Sequence, residues 1–162
     1  MTDVPAHDRV GLIPATTWLT RVPLMAATPA HSQPVTHRYT ERFPAHLPRE
    51  DDPYFKLFQA YHRATQATAV CFIGERTGFG YCSGGLELHH AVLEFSTVNG
   101  VNLKAIQVDH PDLKDADAVA RWAESDPNFR WLCEYCHRGN AGAHVASHSD
   151  WEASQYVPGF LS

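Results

Sequence analysis

Four cysteines constrain this chain more than any other feature: Cys71 and Cys82 lie in one stretch, and Cys133 and Cys136 form a C-x-x-C further on. A C-x-x-C lets two thiolates converge on one metal ion from a turn or the first turn of a helix, at Zn–S distances of about 2.3 Å. Cys71 and Cys82 supply the other two corners of a tetrahedron. The start of the chain lacks the basic-then-apolar pattern of a secretory signal, and no run of about 18 apolar residues exists to span a bilayer. The expectation is a soluble cytoplasmic protein with no membrane partner. Thiols stay reduced in that compartment, so the four cysteines read as a structural zinc site, with buried thiols as the alternative, and not as a disulfide framework.

The 162 residues, 44% of them hydrophobic, suffice for one compact domain with an appended segment. Eight of the eleven prolines fall before residue 54, at Pro5, Pro14, Pro23, Pro29, Pro34, Pro44, Pro48 and Pro53. Proline at that density removes backbone donors and fixes φ, so residues 1–52 read as an extended arm. The arm also carries His31, His37, His46, Arg38, Arg42 and Arg49. Such a segment lacks a core of its own and suits docking onto other subunits of an assembly.

Residues 53–162 read as an α+β domain. Tyr54, Phe55, Leu57, Phe58, Tyr61 and His62 recur at helical spacing between Pro53 and Ala69, with Asp51 or Asp52 to cap the start and an aromatic face directed at the core. Five glycines between Gly74 and Gly85 predict a turn-rich loop. Leu86 to Val92 predicts a short strand with one buried face and a histidine pair, His89-His90, at its end. A helical insert is expected at about residues 109–126, its helix running from about Asp112 to Ser125 and ended by Pro127. Further helices should begin near Cys133 and near Ser149, the latter with the capping-box spacing Ser149-Asp150-Trp151-Glu152.

Adjacent strand residues face opposite sides, so His89 and His90 can serve different roles, one ring binding a metal while its neighbour points at a water. Asn128 precedes the C-x-x-C and His137 follows it. The order Leu86-Glu87-Leu88-His89-His90, then Asn128-Phe129-Arg130-Trp131-Leu132-Cys133, then Cys136-His137 resembles the HNH, or ββα-metal (His-Me finger), endonucleases, widespread in bacteria and their phages. The resemblance covers about residues 71–148. It implies a small zinc-stapled ββα-metal core, with Cys71, Cys82, Cys133 and Cys136 as the zinc ligands.

The same resemblance implies that His89 binds a catalytic divalent ion, His90 is the general base, Asn128 ties down the loop and helps orient His90, and His137 is a second metal ligand. Asn140 or His144 would be the third. Imidazole titrates near neutrality and can take a proton from water, while one ion, Mg²⁺, Mn²⁺ or Zn²⁺, neutralises charge on the phosphate. Two histidine ligands lean towards ions softer than Mg²⁺. The expected substrate is duplex DNA, inside a bacterial host cell or in association with a virion.

Several residues depart from the family pattern. Gly74 stands where the second cysteine of a close early pair would be, and Cys82 arrives eight residues later. Asp109-His110, before Pro111, competes with His89-His90 as the first motif; its plain reading is an element end before proline. Gly139 and Gly142 interrupt any helix carrying both His137 and His144, and His144 and His148 have the spacing of an exposed helical face. The formal net charge of −5 is unlike that of a nucleic-acid binder, but six acidic residues against Lys114 and Arg121 between Asp109 and Asp126 account for most of it. A second function therefore stands beside the nuclease: a zinc-stapled component of a larger assembly such as a phage virion, docked through residues 1–52. A third is a zinc-dependent module that binds nucleic acid without cutting it.

Overall fold

A computed structural model describes residues 29, 33–38 and 40–157. The chain divides into two units, Met1–Val35 and Thr36–Ser162. Pro5, Pro14, Pro23 and His31 lie outside the described residues. Residues 40–48 form no helix or strand, and a 3₁₀ turn spans Arg49–Asp51. The end of the proline-rich stretch packs within the second unit: the Asn99 side-chain amide donates to the Ala45 carbonyl at 2.8 Å, and the His46 ring meets Phe95 edge-on at 5.4 Å. The boundary expected at Pro53 thus falls inside this unit.

The second unit mixes short helices with one two-stranded antiparallel sheet. Strands β1 (Leu86–His90) and β2 (Phe129–Cys133) pair in the register Leu86↔Cys133 to His90↔Phe129. The sheet therefore has a cysteine end and a histidine end. Leu88 is buried on it, whereas Leu86, at the sheet's edge, is 39% exposed, so the expected buried leucine face reduces to one residue. Helix α1 (Phe55–Thr65) lays Phe58 and Tyr61 against Leu88, Phe129 and Trp131. The Trp131 indole N–H, donating to Thr65 Oγ1 at 3.0 Å, fixes that packing. Asp52 accepts the Tyr54 N–H at 2.6 Å just before α1, and the helix has no side-chain cap at its N-cap residue.

The glycine-rich stretch is more regular than its composition predicts. Helix α2 (Phe72–Thr77) and a 3₁₀ turn (Phe79–Tyr81) occupy it. Burial of Ile73 against Cys71, Leu132, Cys133 and Cys136 outweighs the low helix propensity of Gly74.

Between the strands the chain makes a long excursion. A 3₁₀ helix (Phe95–Gly100) leads to α3 (Leu103–Asp109), a helix not expected from the sequence; its local signal is Asn102, whose side chain accepts the Ala105 N–H. Helix α4 (Ala116–Ala123) is shorter than expected, because Asp115 caps it by accepting the Ala118 N–H at 2.8 Å and Glu124 already leaves the helix. Val119 and Ala123 bury its inner face. Pro127 lies in a separate 3₁₀ turn, Asp126–Asn128, beyond the helix end. Helix α5 (Glu134–Arg138) starts from Cys133 as expected. Helix α6 (His148–Ser154) is capped by Ser147, which accepts the Asp150 N–H at 3.2 Å, two residues earlier than the expected Ser149 cap. Among the described residues no helix is long and apolar enough to cross a membrane.

Candidate metal centres

The four cysteine sulfurs lie within 4.8 Å of one another, close enough to bind a metal ion such as zinc. Cys71 is the N-cap of α2 and Cys133 the N-cap of α5, so both sit where helix N–H groups stabilise thiolate charge. The Cys133 sulfur accepts the Cys136 N–H at 3.5 Å. Cys71, Cys133 and Cys136 are buried in an apolar cluster with Ile73 and Leu132. Four sulfurs so close cannot all carry charge without a cation. The Cys136 thiol pulls Cys71 down to about 4, helped by backbone N–H groups of Cys133 and Gly74. Burial, then the proximity of Cys71, pushes Cys82 up to about 12, and the Cys71 sulfur likewise raises Cys136.

Gly74 explains how Cys82 joins this group. A Cβ on residue 74 would stand 2.7 Å from the Cys82 sulfur and 2.4 Å from the Phe79 ring. The glycine is the space into which Cys82 folds back.

At the other end of the sheet, ligand nitrogens of His89, His137 and His144 also lie within 4.8 Å of one another. His89 is buried, and its Nδ1 has no hydrogen-bond partner. Burial, and then the neighbouring His137, His144 and His90 rings, lower its pKa to about 3, so the ring is neutral and free to ligate. His137 Nδ1 is 2.6 Å from Glu87 Oε2, a carboxylate also bonded by Arg138. Arg138 foremost, then His137, hold the Glu87 carboxyl below its ordinary range. A carboxylate on one ring nitrogen fixes the proton there and leaves the other nitrogen as a donor, an arrangement common behind metal-binding histidines. That other nitrogen, Nε2, is 3.0 Å from His144 Nε2.

The interrupted helix is what brings His144 in. The Ala143 N–H donates to Cys136 O at 2.9 Å and the His144 N–H to His137 O at 3.2 Å, folding the chain back over α5. A Cβ on Gly142 would sit 2.7 Å from the His137 carbonyl, so this return requires glycine. His144 and His148 consequently share no helix: His144 lies in the return and His148 opens α6. Asn140 is exposed and does not line the cavity described next. His110 packs on Trp122 with ring centroids 4.5 Å apart, and neither it nor Asp109 belongs to either ligand cluster.

A cavity of about 250 Å³ opens beside the imidazoles, lined by His89, His90, His137, His144, Arg49 and Glu94 over an apolar floor of Phe58 and Leu88. His90 is buried, stacked on Phe58 at 5.6 Å and edge-on to Phe129 at 5.3 Å. Its Nε2 lies 3.1 Å from Glu124 Oε1, and Arg49 grips both Glu124 oxygens at 3.0 Å. Because a carboxylate can only accept, Glu124 assigns the His90 proton to Nε2 and leaves the Nδ1 lone pair open. Asn128 is fully buried and makes four bonds: its Oδ1 accepts the Val92 and Leu93 N–H groups, and its amide donates to the Leu93 and Ala123 carbonyls. It clamps the backbone that follows His90 onto the end of α4 without touching the ring. The sequence places Phe58 on a core-facing helix, Arg49 in the proline-rich arm and Glu124 in an acidic run; their convergence on the His90 ring comes from the fold.

Comparison of the chain with protein-family models, with curated proteins and with solved structures found no match.

Proposed function

We propose that this protein is a metal-dependent endonuclease of the HNH type that hydrolyses DNA phosphodiester bonds, with His90 as the general base. The observation that carries the reading is the convergence of His89, His137 and His144 beside a neighbour of different character, His90, whose Nε2 is engaged by Glu124. A buried nitrogen without a partner, His89 Nδ1, is costly unless a ligand satisfies it. The order β1, β2, α5, with the first two histidines on β1 and the next on α5, agrees with a ββα-metal core stapled by zinc at the four cysteines.

In this reading His89, His137 and His144 hold one divalent cation, which supplies charge neutralisation at the scissile phosphate. His90 accepts a proton from water at Nδ1, and the Glu124 carboxylate stabilises the imidazolium that forms. Arg49, beside Glu124 on the cavity wall, keeps that carboxylate in place. Asn128 fixes the loop behind the base.

The test is cleavage of duplex DNA with Mg²⁺, Mn²⁺ or Zn²⁺. His90→Ala should lower the rate by about 10²–10⁴-fold, with an unchanged circular dichroism spectrum. Wild-type protein that cuts no DNA with any of these ions sinks the reading; salt-dependent DNA binding without turnover would make it a binding module instead.

One observation favours a structural component of a larger assembly. Phe43 and Leu47 stand 53% and 57% exposed in the proline-rich stretch, apolar surface suited to a neighbouring subunit. Recovery of the protein at fixed stoichiometry in purified virions would support that role.

A further inference from the structure

Glu94 belongs to no motif, yet its carboxylate faces three of the imidazoles, those of His89, His90 and His144. Oε1 is 3.6 Å from His89 Nδ1 and 3.8 Å from His144 Nε2, while Oε2 is 3.7 Å from His90 Nδ1. Each of these separations exceeds a hydrogen bond. The first two instead approximate edges of a coordination shell, and the third sets Glu94 beside the proposed base. Four donors placed tetrahedrally at 2.0–2.1 Å from a zinc-sized ion stand about 3.3 Å apart. Three donor pairs bracket that spacing: His137 Nε2 and His144 Nε2 at 3.0 Å, His89 Nδ1 and Glu94 Oε1 at 3.6 Å, and His144 Nε2 and Glu94 Oε1 at 3.8 Å. The ligand atoms mutually within 4.8 Å are those of the three histidines, so the Glu94 carboxylate would draw in as the ion binds.

The position of Glu94 is built, not incidental. The two residues before it bond to the fully buried Asn128 side chain, through the Val92 and Leu93 N–H groups and the Leu93 carbonyl. On its other side the Glu94 carbonyl accepts the Thr97 N–H at 3.0 Å and the Thr97 hydroxyl at 2.8 Å, starting the 3₁₀ helix. The nitrogen that Glu94 faces, His89 Nδ1, is buried and has no partner of its own. Three neutral imidazoles leave the charge of a dication uncompensated, and one carboxylate reduces it.

We propose that Glu94 is the fourth protein ligand of the histidine site, making a three-histidine, one-carboxylate centre that takes Zn²⁺, Mn²⁺, Co²⁺ or Ni²⁺ in preference to Mg²⁺. This rests on reading the histidine cluster as a metal centre. Imidazole favours first-row transition ions, whereas Mg²⁺ retains its waters and binds chiefly through oxygen. The same inference gives the buried asparagine a second task, since its clamp on residues 92 and 93 aims the ligand that follows them.

The test is titration of the full chain, its cysteine site already filled with zinc, with Co²⁺ by calorimetry and visible absorption. Wild type should bind one further Co²⁺ with the weak bands of a nitrogen and oxygen shell, and excess Mg²⁺ should not displace it. Glu94→Ala and Glu94→Gln should each weaken that binding by roughly 10–100-fold or more, without changing the zinc content or the circular dichroism spectrum. Glu94 is only half-buried, so neither variant threatens the fold. Wild-type affinity in both variants overturns the proposal and leaves the trihistidine centre standing. Absence of a second Co²⁺ in wild type removes the centre itself, and with it the nuclease reading.

Discussion

At the cysteine end of the sheet three of four sulfurs are buried in an apolar cluster, and all the donors are soft and alike. At the histidine end the donors are imidazoles, one of them 45% exposed, and they border a cavity with one carboxylate, Glu94, and one arginine, Arg49, on its walls. The two clusters use adjacent residues of one helix, since Cys136 belongs to the first and His137 to the second. A closed tetrahedral sulfur shell has no position left for a substrate and contributes folding energy; an open shell beside a cavity can exchange ligands. In the proposed reading, architecture around the donors separates a stabilising centre from a reactive one, even where both hang on α5.

The comparison breaks first on stability. With zinc held by the four cysteines as proposed, Cys133→Ser, or treatment with a strong chelator, should abolish the cooperative thermal transition of the domain, because structural zinc contributes on the order of 10 kcal/mol to a small fold. His137→Ala should leave that transition largely in place. Equal losses at the two ends, read by calorimetry, would end the division of labour.

Asn128→Ala comes next. It deletes four hydrogen bonds at a fully buried position and strands the Ala123 and Leu93 carbonyls and two N–H groups. A loss of about 3 kcal/mol in urea unfolding is expected, together with weaker metal binding at the histidines and unaltered zinc content.

Acidity should act on the histidine end. His89 has a folded pKa lowered to about 3, mainly by burial. In the unfolded chain it titrates near about 6.5. Between these values the unfolded state binds a proton that the folded state does not, so the stability of the metal-free protein should fall as pH drops from about 6.5 towards about 3. Unfolding curves across that window should be flatter in His89→Asn. An identical pH slope in the variant would mean that His89 is not the group responsible.

The smallest effect is expected at Gly74→Ala. The added methyl collides with the Cys82 sulfur and the Phe79 ring, and displacing them should cost about 1–3 kcal/mol. Zinc affinity should drop with it, while Co²⁺ binding at the histidines stays unchanged.

Much of the ligand inventory was legible in the chain. The C-x-x-C spacing, the histidine pair and His137 are local patterns, and they hold four of the seven residues that the fold gathers into two clusters, Cys133, Cys136, His89 and His137. Asn128 was legible as a motif letter; its four bonds were not. The expected loop at 74–85 failed because propensity is weak beside burial, and Ile73 ties that stretch to the sulfur cluster. The Ser149 cap failed by two residues, since Ser147 offers the same chemistry with an acid three positions on.

The sequence by itself determined which chemistries are available: soft thiolates in a pattern suited to zinc, and imidazoles on either side of a strand. Residue type and local spacing suffice for that, because they set donor identity and the direction in which neighbouring side chains point. Tertiary structure decided the rest. Glu124 and Arg49 come from segments remote from His90 and from each other, and Glu94, though near His89 and His90 in sequence, meets His144 only through the fold. Contacts over such separations depend on how the intervening chain folds, and no local pattern encodes them.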